Sequence, residues 1–282
     1  MRNSAAAVTA HLEWMRQRGL SPTYILKRRR ILTGLAGALP RPILAASSRD
    51  LARWRGTLNQ APATVLHHVS HVREFYAWAV SARLIPLSPA AELPMPRVRR
   101  GIPRPIAEAD LMTAVNAASG RIRPWLVLAG WAGLRAQEIA RLRREDILDR
   151  SSPPVIVVSA FAAKGGRMRI VPLSAFVLAE LGRAGLPARG WVFRRLDGQP
   201  GPNAPWVVSQ LSGAHLHECG IPASLHQLRH RFGTVTYQKT RDLRLVQELM
   251  GHADPATTAI YADYDRAGAL DAVNAIPAPP AA

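Results

Sequence analysis

Hydrophobic positions along the chain repeat with two different periods, and the places where the period changes outline its elements. Val65, Val69, Val72, Phe75, Tyr76 and Ala79 recur three and four residues apart, the stripe of an amphipathic helix. Ahead of them, Ser21-Pro22 sets a capping hydroxyl before a proline at the first helical position, a helix start. A further helix is predicted after Ile106, with Leu111, Val115 and Ala118 on its apolar side. The run from Pro124 to Leu134 is apolar on every face, which predicts a helix buried in a core. Val155-Ile156-Val157-Val158 is β-branched and reads as a strand. Gly165-Gly166 supplies a two-residue hairpin turn, and Arg167 to Val171 the returning strand, stopped at Pro172. Ser174 caps the next helix, Trp191-Val192-Phe193 reads as a short strand, and the chain is then helical to near its end.

The pattern predicts a mainly α fold with a small antiparallel β-sheet, arranged in two blocks. The stretch from Leu93 to Pro105 contains four prolines and a glycine among arginines, so it cannot continue a helix and favours an extended linker. Residues 1–92 form a helical domain, 93–105 a basic linker and 106–282 a second domain with a tail. That tail, from Ile276, is rich in proline and alanine and is expected to be disordered.

Charge narrows the function. The 282 residues carry 37 Lys and Arg against 19 Asp and Glu, a formal charge of +18. Such a chain meets a polyanion, with DNA or RNA ahead of an acidic membrane surface. Cys219 is the sole cysteine, which excludes an internal disulfide and a cysteine-based zinc cluster. No apolar run reaches the roughly 20 residues of a membrane span, and no secretion signal is visible, so a cytoplasmic protein without a membrane partner is expected.

Four segments of the second block hold polar residues at positions that suggest chemistry. Gly133-Leu134-Arg135-Ala136-Gln137-Glu138 puts an arginine beside the buried helix, where an unpaired cation is costly; an internal pair with Glu138 at i,i+3 is the structural alternative. Lys164 enters the Gly165-Gly166 turn, which on its own reads as a plain surface turn, with a phosphate contact as the alternative. In Ser224-Leu225-His226-Gln227-Leu228-Arg229-His230, Ser224 can cap a helix from which His226 and Arg229 project together. His226 and His230 have the spacing of two zinc ligands, but Gln227 stands where a zinc protease needs glutamate. Finally, Asp242 caps a helix that Gly251 ends, His252 follows, Asp254-Pro255 starts another helix, and Tyr261 lies in it.

Together these segments resemble the tyrosine recombinases of the phage-integrase family. The family's pattern is a Gly-Leu-Arg-x-x-Glu box, a hairpin lysine, a His-x-Leu-Arg-His box, a Gly-His pair and a tyrosine nine residues further on. Here they are Gly133-Leu134-Arg135 with Glu138, Lys164, His226 to His230, Gly251-His252 and Tyr261, preceded by Thr257-Thr258. Met250, Gly233 and Asp263 depart from commoner family residues without removing a catalytic group, and Tyr264 is a rival nucleophile without the family spacing. The resemblance covers the second block, and Ala63 to Leu93 is similar to the end of the family's core-binding domain.

The resemblance implies a helical core-binding domain followed by a catalytic domain of the DNA breaking-rejoining fold. It implies that Tyr261 attacks a phosphodiester while Arg135 and Arg229 hold the charge on its oxygens. His252, and in part His226, would add hydrogen bonds there. A phenol has a pKa of about 10, so a base is needed, and His226 is the expected one. Lys164 would protonate the leaving 5′-oxygen. The product is a 3′-phosphotyrosine, and neither ATP, metal nor another cofactor is expected. The implied partner is double-stranded DNA with inverted-repeat core sites, held as a homotetramer that passes through a Holliday junction. An accessory DNA-bending or directionality factor could assist, and the protein would associate with the nucleoid. Expected DNA contacts are Lys27, Arg28, Arg30, Arg99 and Arg100, although a solvated basic face has the same composition. A C-terminal segment with Leu270, Val273 and Ile276 would reach a neighbouring protomer. The first block has no room for an arm-binding domain, so the chain is similar to small integrases or to Xer-type resolvases, with integration or excision of a phage or mobile element expected. A topoisomerase-like enzyme and a catalytically silent DNA-binding protein are the rivals.

Overall fold

The structure, a computed structural model, describes residues 2–98, 105–159, 168–252 and 257–258. It divides into two compact units, Met1–Arg100 and Gly101–Ala282, with the division inside the basic, proline-rich stretch.

The first unit holds α1 (Arg2–Gln17), α2 (Pro22–Ala38), α3 (Ser48–Gly56) and α4 (Pro62–Ser81). Ser21 accepts from the Tyr24 N–H and so starts α2, and a reciprocal Ser47–Asp50 capping box starts α3. The stripe read from α4 is buried: Val69, Val72, Phe75, Tyr76 and Ala79 are all at 0% exposure. They pack with Met15, Leu32, Leu35, Ile43 and Leu51 into one core.

Arg28 departs from the sequence-based expectation of a DNA contact. It is buried in this core, only 1% exposed. Its Nε donates to His71 Nδ1, its Nη1 lies 3.0 Å from His11 Nε2, and its Nη2 donates to Tyr24 and to Glu74. The cation therefore joins α1, α2 and α4 from inside. An arginine can only donate, so both histidines must accept with unprotonated nitrogens. Burial and the Arg28 charge accordingly push the pKa values of His11 and His71 down to about 3.

The second unit comprises α5 (Glu108–Ala117), α6 (Ile122–Trp131), α7 (Ala136–Ala140), β1 (Ile147–Leu148), β2 (Val155–Val158), β3 (Arg169–Pro172), α8 (Ala175–Ala184), α9 (Pro205–Glu218), α10 (Leu225–Thr240) and α11 (Leu243–Met250). The strands form an antiparallel sheet in the order β1-β2-β3, with Ile156 opposite Ile147 and Val171, and Val158 opposite Arg169. As expected, α6 is the buried helix: residues 124–130 are buried throughout it, packed against α8, α9 and α10. Trp191-Val192-Phe193 does not form a strand. Trp191 makes a single bridge with Arg143, Val192 donates to the Leu142 carbonyl at 2.9 Å, and among the described residues the pairing extends no further into a ladder. The predicted turn at Gly165-Gly166 and the helix start at Asp254-Pro255 lie outside the described residues. Among the described residues, no helix is long and apolar enough to cross a membrane.

Candidate active site

The site is assembled from four separate segments around one carboxylate. Where α6 ends, Gly133 has a φ of 62°, which turns the chain so that Arg135 becomes the N-cap of α7. The Glu138 side chain then reaches back to accept the Arg135 N–H at 2.7 Å and Arg135 Nη1 at 2.9 Å. The internal pair recognised in the sequence is therefore formed, but it is only part of the arrangement. Arg169, from β3, donates in bidentate fashion to both oxygens of Glu138, at 2.7 Å each. Arg229, from α10, lies 3.8 Å from Glu138.

Glu138 is 1% exposed. Burial alone would raise its pKa, but hydrogen bonds and charge from Arg169, followed by the charge of Arg229 and the Arg135 N–H, hold it below the usual carboxylate range. It is thus an anion among three guanidinium groups.

The same guanidiniums tie down the end of α11. Arg229 donates to the carbonyls of Gly133 and Met250. Arg135 Nη2 donates to the Gly251 carbonyl at 3.1 Å, and Arg169 Nε to the Leu249 carbonyl at 2.7 Å. Three carbonyls at a helix C-terminus thus find cationic donors. Gly251, in the left-handed region with φ 60°, ends α11 and delivers His252 beside the cluster. The His252 N–H bonds the Gln247 carbonyl at 3.1 Å, and its Nδ1 lies 2.9 Å from the Thr258 hydroxyl. Burial, with the charges of Arg229 and Arg135 next, lowers the His252 pKa to about 3. His226 is exposed one helical turn before His230, their ring centroids 4.5 Å apart. Burial, then His226 and Arg229, lowers His230 to about 4.

Arg135, Arg229 and His252 are therefore brought together, with His226 preceding Arg229 on α10. Two guanidiniums at one locus can bind the non-bridging oxygens of a phosphodiester and stabilise added negative charge. Among the described residues, no group of three or more His, Cys, Asp or Glu side chains could hold a metal ion. Lys164, Tyr261, Tyr264, Arg99, Arg100 and the apolar C-terminal positions lie outside the described residues. Lys27 and Arg30 are exposed on α2 and line one groove with His68 of α4. Sequence reading missed Arg169, although a signal existed: strand alternation places it on the inward side with Val171.

Residues 107–267 match the model of the phage integrase family. The chain belongs to that family, the tyrosine recombinases. Its enzymes break and rejoin DNA, and this chain is a site-specific recombinase. It is 30% identical to the tyrosine recombinase XerC of Erythrobacter litoralis, over 97% of this chain and 92% of that protein. It is 33% identical to the XerC of a Methylobacterium species, over 86% and 79% of the two chains. Among solved structures, a lambda integrase fragment, residues 75–356, bound as a dimer to a core site aligns at a TM-score of 0.73 and 16% identity. That match covers 90% of this chain and 96% of the other. At those identities the structural match supports the recombinase fold, and the family assignment rests on sequence.

Proposed function

We propose that this recombinase cleaves one strand at each of two inverted core sites through Tyr261. Arg135 and Arg229 would hold the phosphate, and His252 and His226 would assist. The convergence of Arg135 and Arg229 on one buried carboxylate, with the α11 terminus that carries His252 held by the same arginines, carries this reading, because segments roughly ninety or more residues apart in sequence meet where a phosphate's charge could be balanced. The attacking phenol gives up its proton to His226 as its oxygen bonds phosphorus, the 5′-oxygen leaves with a proton from Lys164, and a 3′-phosphotyrosine results. Attack by a 5′-hydroxyl on that bond reverses the step with the bond energy retained. Four copies acting through a Holliday junction on double-stranded DNA, in the cytoplasm beside the nucleoid, complete the proposal.

Two uses of this chemistry differ only in their sites. Integration or excision of a mobile element joins unlike sites, whereas resolution of chromosome or plasmid dimers joins identical ones. Likeness to XerC over nearly the whole chain favours the second.

The test uses a pool of nicked duplexes randomised around the nick, from which wild-type protein captures covalent partners on denaturing gels. Wild type should yield a protein–DNA adduct enriched in an inverted repeat, and Tyr261→Phe none. An adduct of equal yield in Tyr261→Phe would move the nucleophile elsewhere. The recovered repeat, placed on two plasmids and compared with pairs of unlike sites, then separates resolution from integration.

A further inference from the structure

Arg169 satisfies Glu138 more completely than either arginine of the phosphate clamp. Of the described residues, it alone makes two side-chain hydrogen bonds to that carboxylate, one to each oxygen, while Arg135 Nη1 makes one and Arg229 stands back at 3.8 Å. The three guanidiniums face one buried anion, leaving two net positive charges at the clamp. Were Arg169 absent, only one would remain. Among the described residues, the cations left beside Glu138 would then be Arg135 and Arg229, whose donors the phosphate requires. Arg169 also donates from Nε to the Leu249 carbonyl, and its Cδ would lie 2.9 Å from a Cβ at Gly251. Only a glycine lets its stem pass under the turn before His252.

Resting on the reading of Arg135 and Arg229 as the phosphate clamp, we propose that Arg169 is a positioning residue. It neutralises Glu138, so that this carboxylate can orient Arg135 without withdrawing the clamp's charge from the scissile phosphate. Arg169 does not contact DNA in this account. It acts through Glu138 and through the α11 terminus.

Arg169→Met leaves one net positive charge at the clamp, and Glu138→Gln in the Arg169→Met background returns it to two. A buried ion pair replaced on both sides by neutral groups is also better tolerated than one broken on a single side. The experiment measures single-turnover adduct formation on the nicked duplex recovered above. Non-covalent affinity for the same site and thermal melting accompany it. Arg169→Met should bind DNA within a few-fold of wild type but form adduct about 100-fold more slowly, the scale of one lost electrostatic contact to a transition state. The double variant should recover to within about tenfold of wild type, and Arg169→Lys, which keeps the charge, should lie between. Wild-type rates in Arg169→Met would overturn the proposal. So would a folded double variant as slow as Arg169→Met, which would make Arg169 a scaffold residue only. If Arg169→Met does not fold, the double variant measured against wild type decides alone. Absence of adduct from wild type is a different result, and it would refute the recombinase mechanism rather than the role of Arg169.

Discussion

Gly133 joins α6 to α7 with φ 62°, and a Cβ built there would lie 2.4 Å from Phe232 Cδ1. Two separate penalties therefore attach to one added methyl group: a left-handed backbone that side chains resist, and a contact that Phe232 must yield to. The Gly133 carbonyl also accepts from Arg229, so any shift of this turn moves the clamp. Gly133→Ala should destabilise the second unit by about 2–3 kcal/mol and slow adduct formation further than the stability loss explains. Adding Phe232→Leu should restore part of the melting temperature while the backbone penalty persists. Unchanged melting of Gly133→Ala would show that the turn relaxes freely.

Helix α2 shows how a run of like charges divides when a helix is wrapped around a core. Ile25, Arg28, Leu32 and Leu35 form its buried face, while Lys27, Arg29 and Arg30 are exposed. Arg28→Met should therefore destabilise the first unit by about 2 kcal/mol for the buried acceptors left without donors, seen as a lower melting temperature. It should leave the salt dependence of DNA binding unchanged. Lys27→Met and Arg30→Met should do the reverse, leaving melting intact and each reducing the slope of log affinity against log salt by about one. A salt slope altered by Arg28→Met but by neither neighbour would reverse these assignments. The distinction was present in the sequence, since Arg28 stands three residues after Ile25 and four before Leu32, on the apolar stripe. Helix starts at Ser21, Ser174 and Asp242 were legible because each cap is a local matter of one side chain and one N–H. The Arg135–Glu138 pair was legible for the same reason. What joins Arg169 to Glu138, or Arg28 to His11 and His71, spans 31, 17 and 43 residues, and local pattern carries no information on which distant partner a buried cation will find. The strand expected at Trp191 failed similarly, since its pairing with Arg143 stops at one bridge.

Among the described residues, both units hold histidines whose pKa values burial and neighbouring arginines lower, which makes stability fall with acid. His11 and His71 in the first unit have pKa values near 3, with His252 near 3 and His230 near 4 in the second. In the unfolded chain each would titrate near 6.5. Between those limits the unfolded state binds more protons, so these groups stabilise fully from about one pH unit above 6.5 and progressively less as pH falls through it. For fully buried His11 and His71 the loss at about pH 5 approaches 2 kcal/mol each. Glu138, held below its usual range by Arg169, adds its own loss only at lower pH. Self-repulsion from the formal +18 charge acts in the same direction as carboxylates protonate, but the two effects respond differently to salt. Repulsion among exposed charges is screened within a Debye length of about 8–10 Å, whereas the burial of a protonated histidine beside Arg28 is not. Thermal melts at about pH 8.5, 7.5 and 5 should thus be nearly level across the first interval and fall steeply across the second. Added salt should recover only part of the fall. Full recovery would assign the acid sensitivity to surface charge and leave the buried histidines without a thermodynamic role.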